Sequence, residues 1–212
     1  MPRKQLIRSL EHPYHITARC INRDWFRVPI NEVWKIFEDY LFFVSHTYGL
    51  RIHAFVLMTN HFHMLASTPN GNLDEAMNYL MREVSRHITR KSGRINQTFG
   101  GPYHWTLVDH YHYYMHAYKY VYRNPVEAGL AKNVLEYPYS TLAGRLGFQK
   151  LIFPVSDDAI LENDVEGTLR WLDFNYERDH KEVIQKALHK QVFKLRQDRN
   201  TKRPHQLEEL LS

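Results

Sequence analysis

Two apolar, alternating runs, Arg51–Met58 and His61–Ser67, stand only Thr59-Asn60 apart. No other feature restricts the fold of this chain as strongly. Alternation on both sides of a two-residue break reads as a β-hairpin. Residues two apart on a strand project from the same face, so His61 and His63 should point together while Phe62 turns into the opposite layer.

The segments around the hairpin supply partners for it. Tyr14 to Cys20 also alternates and reads as a strand starting after Pro13. From Asn31 the period changes. Val33, Trp34, Phe37, Leu41, Val44 and Tyr48 recur at three and four, predicting a helix capped by Asn31 and stopped by Gly49. After the turn sequence Pro69-Asn70-Gly71-Asn72, a second helix is expected from Leu73 to about Lys91, ending near Ser92-Gly93. A further strand should cover 103–109 and a third helix 113–123, stopped by Asn124-Pro125. Residues 133–147 read as short helices and turns. Together these predict an α+β fold, an antiparallel sheet with packed helices, over residues 1–150. Residues 151–212 change character: acidic over 156–164, then charged and helix-like to 195, with a basic tail. They are expected to form a charged, mainly helical C-terminal extension.

Composition removes several alternatives. A single cysteine, Cys20, excludes a disulfide scaffold and any zinc site built from several thiolates. No run approaches the roughly 18 apolar residues of a membrane span, so a soluble, cytoplasmic protein without membrane contact is expected. The net charge of +5 is compatible with a polyanionic partner.

Paired imidazoles on a rigid strand form a two-nitrogen clamp for a metal ion; the same spacing also describes two ordinary surface histidines. His110-Tyr111-His112 repeats the spacing less securely, at the join of a strand and a helix, and reads as a substrate contact or a plain loop. On the third helix Tyr120 and Asn124 are four apart and share a face, which would set a phenol nucleophile beside an amide oxygen. Each also has an ordinary reading. Tyrosines on helices usually pack, and Asn124, with Pro125 and Glu127 after it, looks like the N-cap of a capping box. Arg82, Arg86, Arg90 and Arg94 recur every four residues, either as a stripe tracking phosphates or as a solvated helix face. Tyr103, Trp105 and Tyr111 could stack on unpaired bases or pack internally.

Asn60-His61-Phe62-His63 in an apolar hairpin, a later Tyr120-Val121-Tyr122-Arg123-Asn124-Pro125-Val126, and then Ala128-Gly129-Leu130 resemble the single-tyrosine HUH transposases. Among these the chain is most similar to the REP-associated tyrosine transposases and their insertion-sequence relatives, over about residues 10 to 145. The resemblance implies a ferredoxin- or RRM-like HUH fold in which His61 and His63 bind a divalent metal, Mg²⁺ or Mn²⁺, and Asn124 completes its coordination. Tyr120 would then be the nucleophile of a single-strand DNA endonuclease and strand transferase, leaving a 5′-phosphotyrosine and a 3′-hydroxyl. Its substrates would be single strands folded into hairpins. Candidate DNA contacts are Arg82, Arg86, Arg90, Arg94, Tyr103, Trp105, His110 and His112, with Arg3, Lys4, Arg8 and the basic tail. A non-catalytic nucleic-acid-binding protein that keeps the fold is the alternative, and a metal hydrolase that ignores the tyrosine is a third. Monomer and homodimer are both compatible with the resemblance.

Overall fold

The computed structural model describes residues 5–176, 178–195 and 207, with backbone alone for residues 178 and 179. Four strands, β1 (Tyr14–Arg19), β2 (Arg51–Leu57), β3 (His61–Ser67) and β4 (His104–Leu107), form one antiparallel sheet in the order β2-β3-β1-β4. Helices α1 (Ile30–Tyr48) and α2 (Leu73–Ser92) cover one face, and α3 (Tyr111–Glu127) packs on the other. They are followed by α4 (Thr141–Arg145), α5 (Ala159–Asn163), α6 (Val165–Asp173) and α7 (Arg178–Ala187). This is the α+β arrangement that the hairpin and the helical periodicities predict.

Strand alternation sorts the side chains into two layers. Tyr14, Ile16, Phe55, Leu57, Phe62 and Met64 enter the core beneath α1 and α2, where Val33, Phe37, Leu41, Met77 and Leu80 meet them. Ala54, Val56 and Leu65 face the other way and pack with Ala117 and Val121 of α3. Each fully buried aliphatic or aromatic side chain contributes about 2 kcal/mol to such a core. The hairpin closes through Met58 N–H donating to the His61 carbonyl at 2.8 Å.

Several element boundaries differ from the sequence reading: β4 is shorter than 103–109, α3 starts at Tyr111 and not at 113, and three further differences have a visible cause. α1 begins at Ile30 behind Pro29, whose ring presets φ at −51°, so Asn31 lies inside the helix and is not its cap. α3 runs through Asn124-Pro125 to Glu127. Pro125 falls in the last turn, where its missing N–H removes a single bond, and Ala128 N–H still reaches the Asn124 carbonyl at 3.0 Å. Asn124 is therefore helical and not the N-cap of a new helix. The charged stretch after 156 breaks into α5, α6 and α7 because Asp158 and Asp164 each accept a main-chain N–H and start a new helix.

Parts of the region after residue 157 pack on α3 and β4. Arg123, 2% exposed, donates to the carbonyls of Leu172 and Asp173 at the end of α6, to Asn175 Oδ1 at 2.7 Å and to Glu127 at 2.7 Å. The Lys119 ammonium sits among the rings of Trp171, Phe174 and Tyr176 at 5.2, 5.6 and 4.8 Å. Leu107 of β4 exchanges main-chain bonds with Gln191 and Phe193 at 2.8 Å each. No helix among the described residues is long and apolar enough to cross a membrane. Arg3, Lys4 and the basic tail beyond Leu195 lie outside the described residues.

Arg123 is the hub of the contact between α3 and α6. Replacing it by alanine leaves two α6 carbonyls without this donor and the Glu127 carboxylate with Lys181 alone, so Arg123→Ala should lower the unfolding free energy by about 3 kcal/mol. Urea titration followed by circular dichroism reads this directly; an unchanged midpoint would show that the α6 contact contributes nothing.

Candidate active site between β1, β3 and α3

His61 and His63 project from the same face of β3, and their rings lie 4.9 Å apart at 82°. Phe62 between them is wholly buried on the opposite face. The register of β1 against β3 sets Arg19 opposite His61 and Thr17 opposite His63. Residues opposed across an antiparallel pair share a face, so His15, Thr17 and Arg19 line the same surface as the two histidines.

Each imidazole has one nitrogen engaged. Asn60 Nδ2 donates to the Arg23 carbonyl at 2.8 Å, which turns its Oδ1 toward His61 Nδ1 at 2.7 Å. Only a protonated Nδ1 can donate to that oxygen, so His61 carries its hydrogen there and turns a bare Nε2 outward. His63 Nδ1 lies 3.0 Å from His15 Nε2, with the two rings stacked 5.2 Å apart. Burial holds these imidazoles neutral: it pushes His15 down to about 3 and His61 down to about 4, with Arg19 adding to the effect on His61. His63 is driven well below the ordinary value, first by burial and then by its histidine neighbours and Arg19.

Tyr120 closes the site from α3. Its ring stands 5.4 Å from His63 at 88° and 5.9 Å from His15 at 83°, all within one chain. Burial raises the phenol above its usual value, and Arg19 opposes that rise. The neighbouring tyrosines are occupied elsewhere. Tyr118 donates to Asp158 Oδ2 at 2.5 Å and Tyr122 shares a hydrogen bond with Thr141 Oγ1 at 3.0 Å, both fully enclosed. Asn124, one turn beyond Tyr120, donates Nδ2 to the Tyr120 carbonyl at 2.6 Å, which leaves its Oδ1 directed away from that bond.

The structure thus brings together His61, His63 and Tyr120, with Asn124 on the same helix. The other candidates lie elsewhere. His110 caps α3 by accepting the His112 N–H at 3.3 Å, and stacks on His112 at 5.0 Å. Ten residues separate it from Tyr120, about 15 Å along a helix. Tyr103 and Trp105 pack against the core under α1 and α2. Arg82 and Arg86 pair with Glu83 at 2.9 and 2.5 Å, while Arg94 folds inward to 5% exposure. The four arginines line one groove of about 860 Å³. Sequence reading missed His15 and Arg19. Their alternation with Thr17 was visible, but the β1–β3 register that aims them at the histidines is not a local property of either strand.

Among the described residues no three His, Cys, Asp or Glu side chains converge to hold a metal ion.

Comparison with known proteins follows the same geography. Residues 9–122 match the family described as "Transposase IS200 like". The chain is 31% identical over 91 residues to the REP-associated tyrosine transposase of Escherichia coli (strain K12), covering 42% of this chain and 53% of that protein. It therefore spans about half the length of this curated relative. A solved REP-associated tyrosine transposase bound to a REP hairpin superposes with a TM-score of 0.58 at 19% identity, over 75% of this chain and 96% of that one. At that identity the likeness speaks for the fold.

Buried neutral histidines make stability depend on pH. His15 lies at about 3 in the folded chain against 6.5 when exposed, so its contribution is complete above 6.5 and is lost as pH falls toward 3. At pH 5 the loss is about 2 kcal/mol from this residue. The thermal midpoint should drop between pH 7 and pH 5 by several degrees, and less in His15→Gln. Equal midpoints at both pH values would contradict the burial of neutral imidazoles.

Proposed function

The chain belongs to the IS200-like transposase family, and from that premise we propose that it cuts and rejoins single-stranded, hairpin-bearing DNA through Tyr120. The observation that carries this reading is the seating of the Tyr120 ring across His63 in the same chain, while Tyr118 and Tyr122 are bonded elsewhere. A nucleophile supplied in cis makes one chain sufficient for one cleavage.

In the forward step the Tyr120 oxygen attacks phosphorus and loses its proton to solvent, the bond from phosphorus to the 3′ oxygen breaks, and the leaving 3′ oxygen takes up a proton from solvent. The products are a 5′-phosphotyrosine and a 3′-hydroxyl. Attack by a second 3′-hydroxyl reverses the exchange, restores the phosphodiester and frees the phenol, so joining needs no external energy source. Arg19 is the cation positioned for this chemistry. It opposes the burial cost of the phenolate, and its exposed guanidinium can hold the incoming phosphate by two parallel hydrogen bonds.

The donor set fits a divalent cation. Both imidazoles are neutral and each has Nδ1 engaged; with His63 Nδ1–H donating to His15 Nε2, each leaves Nε2 for a ligand, with Asn124 Oδ1 as a third donor. Nitrogen-rich ligation suits Mn²⁺ better than Mg²⁺, although either matches two imidazoles, an amide and open positions. When bound, such an ion polarises the phosphate and offsets its developing charge. His61 and His63 are positioned to hold it, Asn60 and His15 to orient them, and Tyr120 to attack.

The decisive experiment incubates the full chain with a labelled single-stranded hairpin oligonucleotide and Mn²⁺, followed by a denaturing gel. A covalent protein–DNA band should form and vanish in Tyr120→Phe, and persist in Tyr118→Phe and Tyr122→Phe. Cleavage without an adduct, or an adduct that survives Tyr120→Phe, defeats the proposal; binding with no cleavage would mark a DNA-binding protein that keeps the fold. A second expectation concerns the cation: Arg19→Ala should slow adduct formation at saturating DNA by about 100-fold, the scale of one lost charge-stabilising donor. A rate within twofold of the unaltered chain would remove Arg19 from the chemistry.

A further inference from the structure

The loop joining β1 to α1 is held in a conformation that ordinary side chains avoid. Asn22, Arg23 and Arg27 all have positive φ, at 57°, 59° and 58°. Such residues cost about 1 kcal/mol or more each and persist where the surroundings over-determine them. Here they do. Asn60 Nδ2 bonds the Arg23 carbonyl, the Arg94 guanidinium bonds the Trp25 carbonyl, and Phe26, 1% exposed, meets Phe99 edge-on at 6.3 Å. The result is a rigid loop that buries Phe26 and leaves its neighbour Trp25 75% exposed.

This aromatic surface joins the catalytic face to the arginine groove. On one side, Asn60 bonds both the loop at Arg23 and the ring of His61. On the other, the backbone of residues 98–100 runs against the end of β1, with Ile21 N–H to the Thr98 carbonyl at 3.0 Å and Gly100 N–H to the Arg19 carbonyl at 3.0 Å. Gly100 approaches so closely that an added Cβ would lie 3.2 Å from Ile21 Cα. Phe99 of that segment and Gly101 just after it line the groove together with Arg82, Arg86, Arg90 and Arg94. Arg94 is 5% exposed, its Nε has no hydrogen-bond partner, and the nearest carboxylate, Asp24, stands 3.9 Å away.

We infer that Trp25 stacks on an unpaired base of the strand flanking the cleavage site, while the backbone of that strand runs into the α2 arginine groove. The inference rests on the proposed function and adds a contact that sets which flank is accepted. An exposed indole on a held backbone beside a groove of cations fits single-stranded nucleic acid, whose every base offers a stacking face and whose every linkage carries charge. A duplex keeps its base faces covered. The three left-handed residues have a role in this reading, since a floppy loop would lose part of the stacking energy in ordering the indole.

The test uses fluorescence anisotropy with the full chain and two labelled oligonucleotides, one hairpin carrying a single-stranded flank and the same hairpin without it. Trp25→Ala should weaken binding of the flanked hairpin by about 5- to 100-fold, the range for one lost base stack, and change the flankless one by less than twofold. Trp25→Phe should restore most of the affinity, and 2-aminopurine placed along the flank should be quenched at one position by the unaltered chain and not by Trp25→Ala. Unchanged affinity of Trp25→Ala for the flanked hairpin, or equal weakening of both oligonucleotides, overturns the inference even if the Tyr120 adduct forms normally. Failure of the unaltered chain to bind either oligonucleotide overturns the function together with it.

Discussion

The antiparallel pairing of β1 with β3 is the constraint on which the rest depends. Its register runs from Tyr14 opposite Ala66 to Arg19 opposite His61. A slip by one residue would send His61 and His63 into the layer under α1 and α2 and expose Phe62. What forbids the slip is apolar: Ile16, Phe62 and Met64 are fully buried on that side and have nowhere else to go. Hydrophobic burial on one face thereby fixes polar chemistry on the other. His15, Thr17 and Arg19 arrive beside the histidine pair because their neighbours Tyr14, Ile16 and Ala18 belong to the core.

Helix α3 solves a second problem, the presentation of one tyrosine out of several. Side chains four apart share a helical face, so the helix divides its residues among different neighbours. Tyr118 and Tyr122 go to Asp158 and Thr141, Lys119 and Arg123 to α6 and the segment after it, and Tyr120 to the histidines of the sheet. The region after residue 150 supplies Asp158, the α6 carbonyls and the aromatic cage around Lys119. Without these partners the buried polar groups of α3 would be left unsatisfied, an unfavourable state for a helix seated on a sheet. The charged composition of that region, which in sequence reads as a mainly helical extension, is what lets it meet the polar back of α3.

How much of this could be read beforehand follows from the range of the forces involved. The hairpin, the shared face of His61 and His63, and the burial of Phe62 are consequences of a two-residue period and were legible. So were α1 and α2, to within a residue or so. Pro125 misled, because the rule that proline ends a helix concerns interior positions and here it falls in the final turn. Asn124 and Glu127 look like a capping box in sequence, yet Glu127 turns instead to Arg123 and Lys181. The partners of His63 and Tyr120 come from residues far away in the chain: His15 is 48 positions from His63. The arginine stripe was visible as a spacing, but not the inward fold of Arg94 or its bond to the Trp25 carbonyl, both decided by a strained loop.

One physical effect acts in opposite senses within the site. Burial disfavours charge, so it keeps the imidazoles neutral, with lone pairs available to a cation, and keeps the phenol protonated, hence a poor nucleophile. An enclosed site of this kind is a ligand clamp by default and becomes reactive only when positive charge stands near the phenolic oxygen. Among the described residues that charge comes from Arg19, whose position beside His61 also raises the cost of protonating the imidazoles. A single guanidinium at the end of β1 therefore favours both protonation states that the proposed chemistry requires, neutral histidine and ionised tyrosine. It can do so because strand register sets it at the edge of the pair, exposed to solvent and to any phosphate that enters.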